Sequence, residues 1–242
     1  MGPPKGSSSN AATGVFAADG DEDILQAVVI ADSFNERFMP ITLDKPRCLL
    51  PLLNVPIIEY TFEFLAISGV QEVILLCRAH ADQIKHYVAR SRWAKPTSTM
   101  HIQIVVAPES MSVGDGLREV DSRGLIHGDF ILVSGDVLSN MNLARALEVH
   151  RKNRSQDKNI IMTMVLKRAS PDHRSREHCE GAVFVIDSSS KECLAYEPVD
   201  SELHTPKISI DAEKIEAHPE LTIRYDLMDC QIDICSLNVS DF

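Results

Sequence analysis

The sequence predicts an α/β domain with a mostly parallel twisted sheet, helices on both faces and an antiparallel extension. Two observations predict this fold class. Between Leu25 and Leu166, short apolar runs rich in β-branched residues alternate with helical patterns, which is typical of crossover connections between parallel strands. After Lys167 short strands follow one another across polar turns with no clear long helix between them. That arrangement indicates antiparallel pairing, in an extension of the sheet and a side subdomain.

The elements can be assigned in order along the chain. In the first part, apolar runs predict strands over residues 25–30, 73–77, 102–107, 130–134 and 160–166. Between them, helical spacing predicts helices over 57–65, 79–92 and 115–121, and one starting near residue 141. In the second part, short strands are predicted over residues 181–186, 193–196, 221–225 and 231–235.

Composition limits the classes of protein to consider. Residues 1–23 are rich in glycine, serine, alanine and acid, so we expect a disordered tail, followed by one folded domain over residues 24–242. Whether that domain is complete at Phe242 stays open. The net charge of −11 and pI of 5.2 argue against binding nucleic acid or anionic lipid through bulk charge. No apolar run approaches the ~20 residues that cross a bilayer, so we expect a soluble cytosolic protein.

The turn after the first strand is the first candidate site. Ligands of open α/β sheets bind at the carboxyl ends of the parallel strands, where nucleotide-binding turns are usually rich in glycine. Here residues 32–37 read Asp-Ser-Phe-Asn-Glu-Arg. A carboxylate about 5 Å from a phosphate charge costs on the order of 3 kcal/mol at an effective dielectric constant of about 20, or about a hundredfold in affinity. Asp32 and Glu36 therefore disfavour a triphosphate, which Arg37 and Arg47 offset only in part.

The second candidate is Ser134-Gly135-Asp136, which follows the predicted strand 130–134. A carboxylate at this edge is well placed to hold Mg²⁺ beside a nucleotide. Asp136 could equally cap the helix that begins near Met141, or stabilise a turn. The residue pattern alone leaves these three interpretations open.

The stretch from Ala31 to Leu52 resembles the signature of the sugar nucleotidyltransferases, the nucleoside-diphosphate-sugar pyrophosphorylases. The matching positions are Arg37, Pro40, Thr42, Pro46, Leu49, Leu50 and Pro51. The resemblance implies a Rossmann-like, pyrophosphorylase-like nucleotidyltransferase fold over most of residues 25–235.

The same comparison shows a damaged nucleotide-binding loop. Asp32, Ser33 and Asn35 stand where the signature has glycines, and Glu36 stands where it has threonine. Side chains at these positions hinder the close backbone approach that glycine allows. We therefore expect a vestigial nucleotide-binding loop made of Asp32, Ser33, Asn35, Glu36, Arg37 and Arg47.

Two further positions carry the family's chemistry. Arg47 stands at the position of the family's catalytic lysine, and Asp136 matches its metal-binding Gly-Asp. The resemblance thus implies a vestigial metal position at Asp136. We expect no cofactor and no catalytic residue; the alternative is a working site that uses Mg²⁺ and a nucleotide.

This degenerate signature resembles the signature of one branch of the family, the subunits of eukaryotic translation initiation factor 2B. Further matching stretches lie at residues 112–115, 133–137, 162–164 and 225–230. The resemblance implies a non-catalytic domain for subunit assembly, in a longer protein whose later helical-repeat domain performs guanine nucleotide exchange. It implies other subunits of the factor, especially gamma, and initiation factor 2 as partners, with no membrane or direct nucleic-acid partner. The alternative function is an active sugar nucleotidyltransferase that resembles the mannose-1-phosphate guanylyltransferases.

Overall fold

The computed structural model describes residues 24–31, 38–170, 181–199 and 209–241. The predicted tail over residues 1–23 lies outside the described residues. So does most of the predicted nucleotide-binding loop, namely Asp32, Ser33, Asn35, Glu36 and Arg37.

The described residues form alternating strands and helices, as the sequence predicts. The strands are β1 (Gln26–Ile30), β2 (Pro51–Leu52), β3 (Val55–Pro56), β4 (Glu72–Cys77), β5 (His101–Val106), β6 (Phe130–Ser134), β7 (Met162–Arg168), β8 (Gly181–Asp187), β9 (Cys193–Val199), β10 (Leu221–Arg224) and β11 (Leu227–Cys235). The helices are α1 (Ile41–Asp44), α2 (Ile57–Ile67), α3 (Ala81–Arg90), α4 (Val113–Ser122), α5 (Leu143–Gln156) and α6 (Ala212–Ala217).

The main sheet has six strands in the order β5-β4-β1-β6-β11-β7. The first four are parallel to one another, and β11 runs antiparallel to both of its neighbours. The predicted fold class, a mostly parallel sheet with an antiparallel extension, is therefore confirmed. One detail differs: β7, predicted within the parallel run, pairs with the late strand β11.

Two smaller sheets complete the architecture. Strands β10, β8 and β9 form a three-stranded antiparallel sheet, which corresponds to the predicted side subdomain. Strands β2 and β3 form a short hairpin whose turn residues Leu53 and Asn54 both have positive φ angles. The sequence analysis missed this hairpin because two-residue strands carry no periodicity.

The core lies on both faces of the main sheet. Along β1, Ala27 and Val29 face one layer while Val28 and Ile30 face the other. Helices α2, α3 and α5 cover the first face and α4 covers the second. Because both faces are buried, strands β1, β4 and β6 read as continuous apolar runs, which is why the sequence identified them.

Helix starts are set by specific caps. Ser112 and Asp115 form a capping box, so α4 begins two residues before the predicted start. Asn142 caps α5 by accepting a hydrogen bond from the backbone N–H of Ala144. None of the described helices is both long and apolar enough to cross a membrane.

An acidic side chain lies inside the main sheet. Asp233 in β11 is 8% exposed, and its Oδ1 atom has no hydrogen-bond partner among the described residues. It follows a β-bulge, because the pairing of β11 with β7 is interrupted between Asp229 and Asp233. Burial, and then the nearby carboxylate of Asp229, raise the pKa of Asp233 to about 7. Below about pH 7 the folded chain therefore favours the protonated acid.

We predict that Asp233→Asn stabilises the fold at neutral pH. The folded pKa lies above the unfolded value, so this group costs stability as pH rises from about 4 to about 7. The asparagine variant escapes that cost, and its free energy of unfolding should exceed that of the unmodified chain by about 1–4 kcal/mol above pH 7. Urea unfolding at pH 4.5 and pH 7.5 measures the difference.

The gain should shrink at pH 4.5, where the buried aspartate is protonated. Asp121→Asn, which removes an exposed carboxylate from α4, is the control and should give no pH-dependent gain. The prediction would be contradicted if the difference in free energy of unfolding between Asp233→Asn and the unmodified chain were the same at both pH values.

Candidate functional site

The candidate site lies at the carboxyl ends of β1 and β6. These strands are adjacent and in register, with Ile30 opposite Ser134. The chain therefore leaves both strands, after Ile30 and after Ser134, side by side at one edge of the sheet. This is the edge where open α/β sheets place their ligands.

Gly135 holds the second segment against the end of β1. Its backbone N–H donates to the carbonyl oxygen of Ile30 at 2.8 Å. A Cβ atom on Gly135 would lie 3.0 Å from that oxygen and 3.2 Å from the Cα atom of Ala31. Both neighbours are backbone atoms, so only glycine allows this approach without a shift of the strand end.

Asp136 is held at this edge by two side chains. Its Oδ1 atom accepts a hydrogen bond of 2.5 Å from the Ser134 hydroxyl, and its Oδ2 atom lies 2.5 Å from Nε of Arg47. The Asp136 side chain is only 11% exposed. The proposed role of Asp136 as a helix cap is wrong, because Asn142 caps α5.

Arg47 reaches Asp136 from a short 3₁₀ turn, Arg47–Leu49. The turn is closed by a hydrogen bond from the Leu50 N–H to the Arg47 carbonyl, and its buried residues Cys48 and Leu49 anchor it in the core. The guanidinium carbon lies 4.5 Å from the centre of the Phe38 ring, within the range of a cation–π contact. Ion pair and ring together fix the orientation of the guanidinium.

Hydrogen bonds connect the segments around the Arg47 turn and Asp136 to helix α2 and to the start of α3. Thr61 of α2 donates to the carbonyl of Val137 at 3.0 Å, which joins the segment after Asp136 to the core. His80, just before α3, contacts the carbonyl of Thr42, and Gln83 donates to that of Asp44. The sequence analysis missed the roles of Phe38, Ser134 and Thr61. Of these, only the serine beside the Gly-Asp pair offered a local signal.

Charge balance favours the arginine at this position. A carboxylate this buried requires a partner, and the Arg47 guanidinium supplies a permanent positive charge. A divalent cation at about 5 Å from that guanidinium would meet a repulsion on the order of 7 kcal/mol at an effective dielectric constant of about 20. The ion pair and a bound metal are therefore competing states of the same carboxylate.

The donor set of the described residues does not fit a divalent metal. They contain no group of three or more histidine, cysteine, aspartate or glutamate side chains placed to hold an ion. Mg²⁺ prefers octahedral oxygen ligands, whereas both oxygens of Asp136 already contact protein side chains.

A groove of about 710 Å³ lies beside this site. It runs along α3 and is lined by residues that include Leu49, Gln83, His86 and Tyr87. Neither Arg47 nor Asp136 lines it. The ion pair is thus packed into the edge of the sheet and does not form the wall of that groove.

Large apolar side chains are exposed around the turn that carries Arg47. These side chains come before and after the turn in the sequence: Phe38, Met39, Ile41, Leu43, Leu52, Leu53 and Val55. Leu53, at the tip of the β2–β3 hairpin, is 85% exposed. Exposed apolar side chains that concentrate in one region are typical of protein–protein contact surfaces.

We predict that Gly135→Ala destabilises the protein by about 1–3 kcal/mol, because the new methyl group would press against two backbone atoms. Chemical denaturation measures the change. Gly128→Ala is the matched control, since a Cβ atom there has no heavy atom within 4 Å and its φ is not positive. Equal effects of the two substitutions would show that Gly135 is not constrained by the end of β1.

Comparisons with known proteins agree with this fold. One solved structure matches this chain with a TM-score of 0.61. It is the crystal structure, in complex with a sucrose, of a Bacillus anthracis protein described as a glucose-1-phosphate thymidylyltransferase. The match covers 90% of this chain and 73% of that one at 11% identity. At that identity the likeness supports the fold alone.

The relatives in sequence are more specific. The chain is 56% identical over 89% of its length to translation initiation factor eIF2B subunit epsilon of Schizosaccharomyces pombe, and 48% identical over 90% to that of Dictyostelium discoideum. It spans about a third of those relatives, 31% and 30% respectively. The resemblance of the degenerate signature to the initiation factor 2B branch is confirmed, and both of these relatives are epsilon subunits.

More distant relatives connect the chain to enzymes. It is 30% identical to a mannose-1-phosphate guanylyltransferase of Mycobacterium tuberculosis, over 54% of this chain and 35% of the enzyme. The family model "Nucleotidyl transferase" matches residues 26–173, more than half of the chain. The chain therefore belongs to the nucleotidyl transferase family.

Proposed function

We propose that this chain is a non-catalytic assembly domain of an epsilon-type subunit of translation initiation factor eIF2B. In that role it pairs with the related gamma subunit and supports guanine nucleotide exchange on initiation factor 2, in the cytosol. The observation that carries the proposal is the 56% identity to an epsilon subunit over 89% of this chain. The chain is also 23% identical, over 89% of its length, to an eIF2B gamma subunit of Dictyostelium discoideum.

The site geometry supports a non-catalytic role. Nucleotidyl transfer depends on placing phosphates and stabilising the charge that develops on them. Here Arg47 is paired with Asp136, so the guanidinium charge is already neutralised by the chain's own carboxylate. The carboxylates of Asp32 and Glu36 in the signature add negative charge where the family has neutral residues.

The exposed apolar side chains on either side of the Arg47 turn support assembly. Leu53 and Ile41 are 85% and 58% exposed, which costs solubility in an isolated domain unless a partner covers them. The net charge of −11 fits neither a nucleic-acid partner nor an anionic membrane. A protein partner with a complementary apolar surface fits both observations.

The first test is association with the gamma subunit. We expect the chain of residues 1–242 to co-purify with a co-expressed gamma subunit of the same organism as a stoichiometric complex. The expected cause is burial of apolar surface between two similar domains. Analytical ultracentrifugation of the purified mixture measures the complex. Two separately sedimenting species at micromolar concentration would contradict the proposal.

The second test locates the contact. Leu53→Asp places a charge on the exposed hairpin tip and should weaken association with gamma at least about tenfold, because an unpaired charge would be buried in the interface. Ile67→Asp is the matched control, since Ile67 is 87% exposed at the far end of α2. Equal dissociation constants for the two variants would exclude the hairpin as part of the interface.

The alternative is an active sugar nucleotidyltransferase, which the similarity to a guanylyltransferase favours. In that case Arg37 would hold phosphate, Arg47 would replace the family's lysine and Asp136 would carry Mg²⁺. Pyrophosphate release from GTP and mannose 1-phosphate measures this activity. We expect none above the uncatalysed background, and turnover that Asp136→Ala abolishes would establish the enzyme instead.

A further inference from the structure

We propose that the guanidinium of Arg47 is a built-in cation that occupies the face of Asp136 where the related enzymes would hold a divalent metal. The protein thereby excludes Mg²⁺ and Mn²⁺ from this carboxylate. The inference deepens the non-catalytic reading of the same site and rests on it. Its test measures metal binding, so its outcome is separable from both turnover and subunit pairing.

Each carboxylate oxygen of Asp136 already has a protein partner. Ser134 donates to Oδ1 and Arg47 lies against Oδ2, each at 2.5 Å. With 11% of its side chain exposed, Asp136 offers little of its carboxylate to a hydrated ion. A metal would therefore compete with the guanidinium for Oδ2.

The guanidinium is difficult to displace. Arginine stays protonated throughout the working pH range, whereas a lysine in a dry site can lose its proton. The Phe38 ring covers the guanidinium at 4.5 Å, and the Arg47–Leu49 turn is anchored by buried side chains. Arg47 thus has a fixed position as well as a fixed charge.

Removing Arg47 would favour a bound metal over the ion pair at Asp136. Asp136 would keep its place, because Gly135 and Ser134 hold it at the end of β1 and β6. It would then be a mostly buried carboxylate without its cation, which favours recruitment of a cation from solution. The proposal therefore predicts that loss of the arginine creates a metal response that the unmodified chain lacks.

The experiment uses Mn²⁺ as the probe. Binding is followed by the electron paramagnetic resonance signal of free Mn²⁺, and thermal unfolding is followed in the same solutions. The full chain is compared with four variants: Arg47→Ala, Arg47→Met, Asp136→Asn and the double variant Arg47→Ala/Asp136→Asn. Arg47→Met keeps a long side chain over Phe38 without the charge, so it provides a folded alternative if the alanine variant is unstable.

We expect Arg47→Ala or Arg47→Met to bind Mn²⁺ at least about tenfold more tightly than the unmodified chain, with a rise in Tm on adding millimolar Mn²⁺. The double variant should lose that response. Arg118→Ala is the matched control: it removes an arginine from an exposed aspartate, Asp115, and should behave like the unmodified chain.

Two results would overturn the proposal. The first is Mn²⁺ binding by the unmodified chain that Asp136→Asn abolishes, which would show that the arginine does not exclude the metal. The second is a folded Arg47 variant that binds Mn²⁺ no better than the unmodified chain, which would show that the arginine does not occupy a metal position.

Discussion

The ion pair between Arg47 and Asp136 is the constraint on which the candidate site depends. It joins a turn of the signature segment to the carboxyl end of β6 and neutralises a carboxylate that is almost fully buried. The chemistry of the family relies on positive charge around phosphate. A guanidinium that is paired with the chain's own carboxylate offers less of that charge to a phosphate at this edge of the sheet. In the proposed non-catalytic role, the fold is kept and the guanidinium charge of Arg47 is paired within the chain.

Several features of the fold bring Arg47 and Asp136 into contact. The register of β1 and β6 brings their ends together, and Gly135 brings the backbone after β6 within hydrogen-bond distance of Ile30. The buried residues Cys48 and Leu49 fix the turn that carries Arg47. Apolar side chains are also exposed before and after this turn in the sequence, which is one observation behind the proposed assembly role.

Much of the fold was predictable because its signals are local. Strands β1, β4 and β6 are buried on both faces, so their continuous apolar runs predicted them. The range of β6 matches the predicted one, residues 130–134. The short hairpin β2–β3 and the first half of β11 carried no such signal. At the site, the signature pointed to Arg47 and Asp136, and the structure brings these two side chains into contact. Their direct contact was not predictable, because it joins residues far apart in the chain.

A double-mutant cycle on Arg47 and Asp136 tests the central claim most directly. Free energies of unfolding for Arg47→Ala, Asp136→Asn, the double variant and the unmodified chain isolate the energy of this pair. Exposed ion pairs typically contribute about 0.2–1 kcal/mol. The account predicts a favourable coupling energy above about 1 kcal/mol, because the pair is largely buried. A coupling energy near zero would contradict it.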